Sequence, residues 1–179
     1  GLRRRFFLYL SQQATYVHRS NHIHLDVHIG LAPPLYAYPT EFETLYERGE
    51  DLLVGNQTVR TFGAVDTLIL LCLHGEKNRW EFLKYVADIA AVITTHPDLD
   101  WAEVMRRAEE THMYRIVQLG LLLAYTLLEA PLPPEVVQRL QNDPLAQELG
   151  AAVVERLSSM SLTVTDFEKR FWLHLHTQD

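Results

Sequence analysis

His22, His24, Asp26 and His28 fall on alternate positions, with Ile23, Leu25, Val27 and Ile29 between them. On a β-strand, alternate side chains share one face about 6.5 Å apart. The pattern therefore predicts an apolar face turned to the core and an outer face carrying three imidazoles and a carboxylate. Imidazole and carboxylate are zinc ligands, and zinc makes a nucleophile of its bound water near neutral pH. A zinc-binding protein or zinc hydrolase using His22, His24, Asp26 and His28 is one reading. A solvated strand face with no ligand is a second. A third takes Leu25-Asp26-Val27 as a carboxylate held on a strand between two apolar neighbours, one of several that together hold Mg2+ against a triphosphate.

A second set of candidates is denser. Residues 71–80 read Leu-Cys-Leu-His-Gly-Glu-Lys-Asn-Arg-Trp, followed by Leu83-Lys84 and Asp88-Ile89-Ala90. Lys77, Arg79 and Lys84 are cations suited to phosphate, and His74 can both donate and accept a hydrogen bond. On one continuous helix Trp80, Lys84 and Asp88 would form a stripe, with Lys84 and Asp88 paired. The plainer alternative is a polar network joining two helices, with Trp80 as a packing anchor.

The elements that must position these residues begin with a β-hairpin, residues 14–19 and 22–30, turning at Ser20-Asn21. A two-residue loop would set Val17 opposite His24 on the polar face; a longer loop is the alternative. A short helix over 40–48 and a second hairpin over 52–61, turning at Gly55-Asn56, follow. Beyond Val65 the periodicity is helical throughout. The predicted helices span 65–74, 80–94 (apolar at Leu83, Val86, Ala87, Ala90 and Ile93) and 100–112, where Asp100 and Glu103 form a capping box. An almost wholly apolar helix over 114–130 is the expected centre of the core. Pro134 opens another, 145–157 is amphipathic, and 167–175 is a last helical stretch. His96 and His112 fall at helix ends, and Arg3–Arg5 read as a solvated face.

The chain has 179 residues, a formal charge of −7 and a mean hydropathy of −0.08. The length excludes a large multidomain enzyme. The acidic balance disfavours nucleic acid as a partner. The lone cysteine, Cys72, sits in an apolar run and reads as a buried hydrophobe in a reducing, cytoplasmic setting. No apolar run approaches the length of a membrane span.

Two family likenesses bear on the candidates. The spacing from His22 to His28 resembles the HxHxDH motif of metallo-β-lactamase hydrolases, but there aspartate and histidine adjoin, whereas Val27 separates Asp26 from His28. The order of a carboxylate strand, the segment from Leu71 to Trp80, then Leu83-Lys84 and Asp88-Ile89-Ala90 resembles the uncharacterised bacterial nucleotidyltransferase family of the polymerase-β-like superfamily. Its members read E-L-H-W, H-G-A-K-H-x-W and L-K-W-x-x-D-x-A. Here these are Asp26-Val27-His28-Ile29, His74-Gly75-Glu76-Lys77-Asn78-Arg79-Trp80 and Leu83-Lys84-Tyr85-Val86-Ala87-Asp88. Asp26 replaces the commoner glutamate, and Asn78 a second histidine. The likeness covers about two thirds of the chain, from Thr15 to Pro134.

The resemblance implies an α+β fold, predominantly α: a β-hairpin remnant of a nucleotidyltransferase domain over 1–62, then about six helices over 63–179. It implies nucleotidyl transfer from a nucleoside triphosphate to an unidentified acceptor hydroxyl, with Mg2+ as cofactor. Asp26 would be the catalytic, metal-binding third carboxylate. His28, His74, Lys77, Arg79, Lys84 and Asp88 would bind substrate. The chain contains no Gly-Ser or Gly-Gly pair; Asp98-Leu99-Asp100 reads as a helix cap and Glu41-Phe42-Glu43 as helix. A phosphate loop and the first two carboxylates are thus expected upstream, making this a C-terminal portion, inactive alone. The competing readings are the zinc protein and a helical interaction module, a homodimer among its forms, marked by an exposed apolar patch on 114–130 or the final helices.

Overall fold

The computed structural model describes residues 13–28, 30, 31 and 42–158. Strands β1 (Gln13–Val17) and β2 (His24–His28) pair antiparallel, Val17 with His24 and Thr15 with Asp26. That is the register of a two-residue loop, yet the turn is longer. The His18 N–H donates to the Ile23 carbonyl (2.8 Å) and the His22 N–H to the His18 carbonyl (3.1 Å), with His22 left-handed at φ +55°. The hairpin corrects one expectation: Tyr16, Ile23, Leu25 and Val27 are all exposed, so no face of β2 is core. A two-stranded ribbon has no third strand to cover it, and no described helix packs broadly against it. Ile29, Arg3–Arg5 and the predicted helix over 167–175 lie outside the described residues.

Helix α1 (Phe42–Glu47) leads into a second hairpin, β3 (Glu50–Val54) and β4 (Gln57–Thr61). Its turn places Gly55 at φ +62°, where a side chain would be strained. Arg60 staples the hairpin to α1: Nε and Nη2 donate to the Tyr46 and Glu47 carbonyls (3.1 and 3.0 Å) and Nη1 to Asp51 (3.0 Å).

Six helices follow: α2 (Ala64–Lys77), α3 (Leu83–Thr95), α4 (Trp101–Glu110), α5 (Tyr114–Leu128), α6 (Pro134–Gln141) and α7 (Pro144–Ser158). Small hairpins and dominant helices make the fold α+β, predominantly α. Apolar nearly all round, α5 is buried from Ile116 to Ala124 and packs on α2, α3 and α7. The patch that would mark an interaction module is therefore not on α5, where only Tyr125 and Leu128 reach solvent. Asp100 caps α4 by accepting from the Glu103 N–H (3.0 Å). The expected capping box is only half formed, because the Glu103 carboxylate accepts from Arg106 and Arg107, whose hydrogen bonds hold it down at a pKa of about 2. Among the described residues no helix is long and apolar enough to cross a membrane.

The α2–α3 junction departs most from expectation. Arg79 and Trp80 are both left-handed, at φ +54° and +53°, so the chain reverses there and α3 starts at Leu83. Trp80 is not on α3, and the stripe Trp80–Lys84–Asp88 does not form. The buried face of α3 is Tyr85, Val86, Ile89 and Ile93, while Leu83 and Ala87 face solvent. Starting the helix three residues late rotates which side chains meet the core.

Candidate functional site

Two helix ends and one strand bring most of the predicted site residues together. His74 and Lys77, three residues apart on the last turns of α2, lie on one face. Lys84, Tyr85 and Asp88 come from the first turns of α3. The Tyr85 ring is the floor: His74 meets it edge-on with centroids 5.2 Å apart, and the Lys84 Nζ stands 4.8 Å from its centroid. This ammonium–ring contact replaces the expected Lys84–Asp88 ion pair. His28, on β2, is close enough for its charge to act on His74.

Electrostatics mark the cluster as crowded with positive charge. Burial lowers the His74 pKa first, and Lys77, Lys84 and His28 lower it further against the opposing pull of Asp88. Burial also lowers the Lys77 pKa. Burial and Asp88 push the Tyr85 phenol up. Cations that suppress one another in a half-buried setting gain from a bound anion, which removes the repulsion.

A pH dependence follows. The unfolded imidazole titrates near 6.5 and the folded one lower, so between those values the unfolded chain holds more protons. The His74 contribution to stability is complete above about pH 6.5 and is lost as pH falls through the folded value. An NMR titration of the His74 ring is expected to give a midpoint below 6.5, moving up in Lys84→Gln. A midpoint unmoved by that substitution would break the proposed coupling.

Other predicted residues stand apart. Asp26 is exposed on β2, its Oδ1 accepting from Thr15 Oγ1 at 2.5 Å. Two residues from His28 on the same face, it neighbours the cluster. Arg79 pairs with Glu81, and its carbonyl accepts from Arg156. Its guanidinium is therefore engaged on the Glu81 side of the turn. Tyr85, Glu76 and Arg156 were not singled out from the sequence as site residues. Tyr85 had a signal, the aromatic after leucine–lysine in the L-K-W block; Arg156 had none. Two open clefts of about 410 and 420 Å³ lie elsewhere, one beside Arg48, His96 and Arg107, the other between α4 and α6.

Metal binding can be tested on the donors. Among the described residues no three His, Cys, Asp or Glu side chains are grouped to hold a metal ion. The zinc set fails because His22 leaves the strand in a left-handed turn residue and alternate donors on a strand are too far apart to share one small cation. Magnesium needs several oxygen ligands, and Asp26 is a single carboxylate. The described residues do not build a magnesium site among themselves.

A family model described as uncharacterised nucleotidyltransferase matches residues 5–129. The chain belongs to this nucleotidyltransferase family. No curated protein and no solved structure matches it. The matched span of this uncharacterised nucleotidyltransferase contains β1 to α5 and every member of the cationic cluster, and it stops before α6 and α7.

Proposed function

We propose that the cluster of His28, His74, Lys77 and Lys84 around Tyr85 is the phosphate-binding wall of a nucleotidyl transfer site. The observation that carries this reading is the convergence of like charges from two helices and a strand on His74, which lowers its basicity. Family membership supplies the substrate class, a nucleoside triphosphate. Lys77 and Lys84 offset phosphate charge, and His74, neutral near pH 7, donates or accepts at a phosphate oxygen or at the acceptor. Asp88 limits the positive charge, and Arg79 secures the turn.

In the transfer, an acceptor hydroxyl oxygen attacks the α-phosphorus, the bond to the bridging oxygen of the β-phosphate breaks, and diphosphate leaves. Asp26 receives the hydroxyl proton, with Thr15 fixing its orientation. This chain provides one carboxylate, and we expect it to bind the nucleotide without turning it over. Two regions divide the work: 1–62 supplies Asp26 and His28, and 63–179 supplies the cations.

Calorimetric titration with a nucleoside triphosphate and with inorganic tripolyphosphate tests the reading. Lys77→Gln and Lys84→Gln are each expected to weaken both ligands about tenfold. Asp26→Asn should leave tripolyphosphate affinity unchanged. Wild-type affinity retained in both lysine variants would overturn the proposal.

A further inference from the structure

The cluster depends on a turn that the backbone does not favour by itself. Arg79 and Trp80 are consecutive non-glycine residues in the left-handed region, where Cβ crowds the following carbonyl. Part of what holds them is local. The Trp80 N–H donates to the Gly75 carbonyl (2.8 Å) and the Arg79 N–H to the Glu76 carbonyl (2.7 Å). The indole lies over Gly75, and its Nε1 donates to the buried Glu76 Oε2 (3.3 Å). The remaining contact comes from far along the chain: Arg156, on α7, donates through Nη2 to the Arg79 carbonyl. Burial and the neighbouring Arg79 lower the Arg156 pKa, and the Glu76 carboxylate opposes that.

This turn sets the angle between α2 and α3. It therefore sets how near His74 and Lys77, on one helix, stand to Lys84 and Asp88 on the other. We propose that Arg156 is a positioning residue: by holding the Arg79 carbonyl it keeps the left-handed turn closed, so that the cations of α2 and α3 converge on one polyphosphate. The proposal rests on reading the cluster as a phosphate site. It also gives α7, which lies beyond the matched residues 5–129, a part in building that site. Arginine suits the position because its long fork reaches a backbone carbonyl while its charge stays beside a buried carboxylate.

The test compares Arg156→Ala and Arg156→Lys with Val153→Ala, a core substitution one turn earlier on α7 that does not touch the junction. Each full chain is titrated with inorganic tripolyphosphate, and the His74 midpoint is followed by NMR at high salt, where the direct field of a distant charge is screened. Arg156→Ala is expected to weaken tripolyphosphate about tenfold and to raise the His74 midpoint as Lys77 and Lys84 separate. Arg156→Lys should recover most of both effects, and Val153→Ala should show neither at comparable loss of thermal stability. Equal effects in Arg156→Ala and Val153→Ala, or none in Arg156→Ala, overturn the proposal. Failure of the wild type to bind tripolyphosphate defeats the phosphate reading instead. The His74 midpoint, measured without any anion, still decides whether Arg156 sets the spacing.

Discussion

Replacing Trp80 with alanine is expected to destabilise the protein by about 3–5 kcal/mol, lowering the melting temperature by roughly 10 °C. The side chain is fully buried outside any helix, held between Gly75 of α2 and Gly120 of α5. Both glycines make room for it. A Cβ on Gly75 would collide with the indole, and one on Gly120 would come within 3.2 Å of its Cη2 and 2.6 Å of the Cys72 Sγ. The neighbours are helix backbones that cannot collapse into the space, so most of the cavity penalty remains. Trp80→Phe keeps the ring and loses only the N–H to Glu76, so its loss should be about 1 kcal/mol beyond the volume change. Urea unfolding measures both, and a Trp80→Ala loss below 1 kcal/mol would show that the indole is not the anchor of the junction.

The second large effect lies at the other end of α2. Asp66, 2% exposed, accepts two hydrogen bonds from Arg48 (3.0 Å each) and one from Arg107 (2.8 Å). It joins the segment after α1 to α4 through the first turn of α2. Asp66→Ala leaves two partly buried guanidiniums facing each other without their shared carboxylate. The expected loss is about 3 kcal/mol. Replacing all three residues with apolar side chains of matching volume should recover most of it, because breaking such a set is what destabilises. Arg106→Ala, which removes only contacts to Glu103 and the exposed Glu110, should leave the unfolding midpoint almost unmoved. A loss in Asp66→Ala no larger than that of Arg106→Ala would show that water solvates the Asp66 site after all.

How much of this was legible in the sequence depends on how local each cause is. Hydrophobic period, prolines and turn residues placed β1 to β4 and all six helices from α2 to α7, because propensity and capping act within a few residues. The His-Gly-x-Lys block and the leucine–lysine pair after it pointed to the family and to His28, His74, Lys77 and Lys84, since these are matters of residue type and order. The Asp100 cap was equally plain. Not legible were the left-handed turn at Arg79-Trp80, the removal of Trp80 from α3 and the arrival of Arg156 at that turn. No local propensity favours two left-handed non-glycine residues in succession. They persist because the indole fills the space over Gly75, Glu76 accepts its N–H, and a guanidinium 77 residues away holds the intervening carbonyl. The sequence thus determined the chemistry available, a carboxylate strand and cations at a helix junction. Tertiary packing alone decided which cations face one another, because a charge acts through distance, and distance between α2 and α3 is set by contacts remote in the chain.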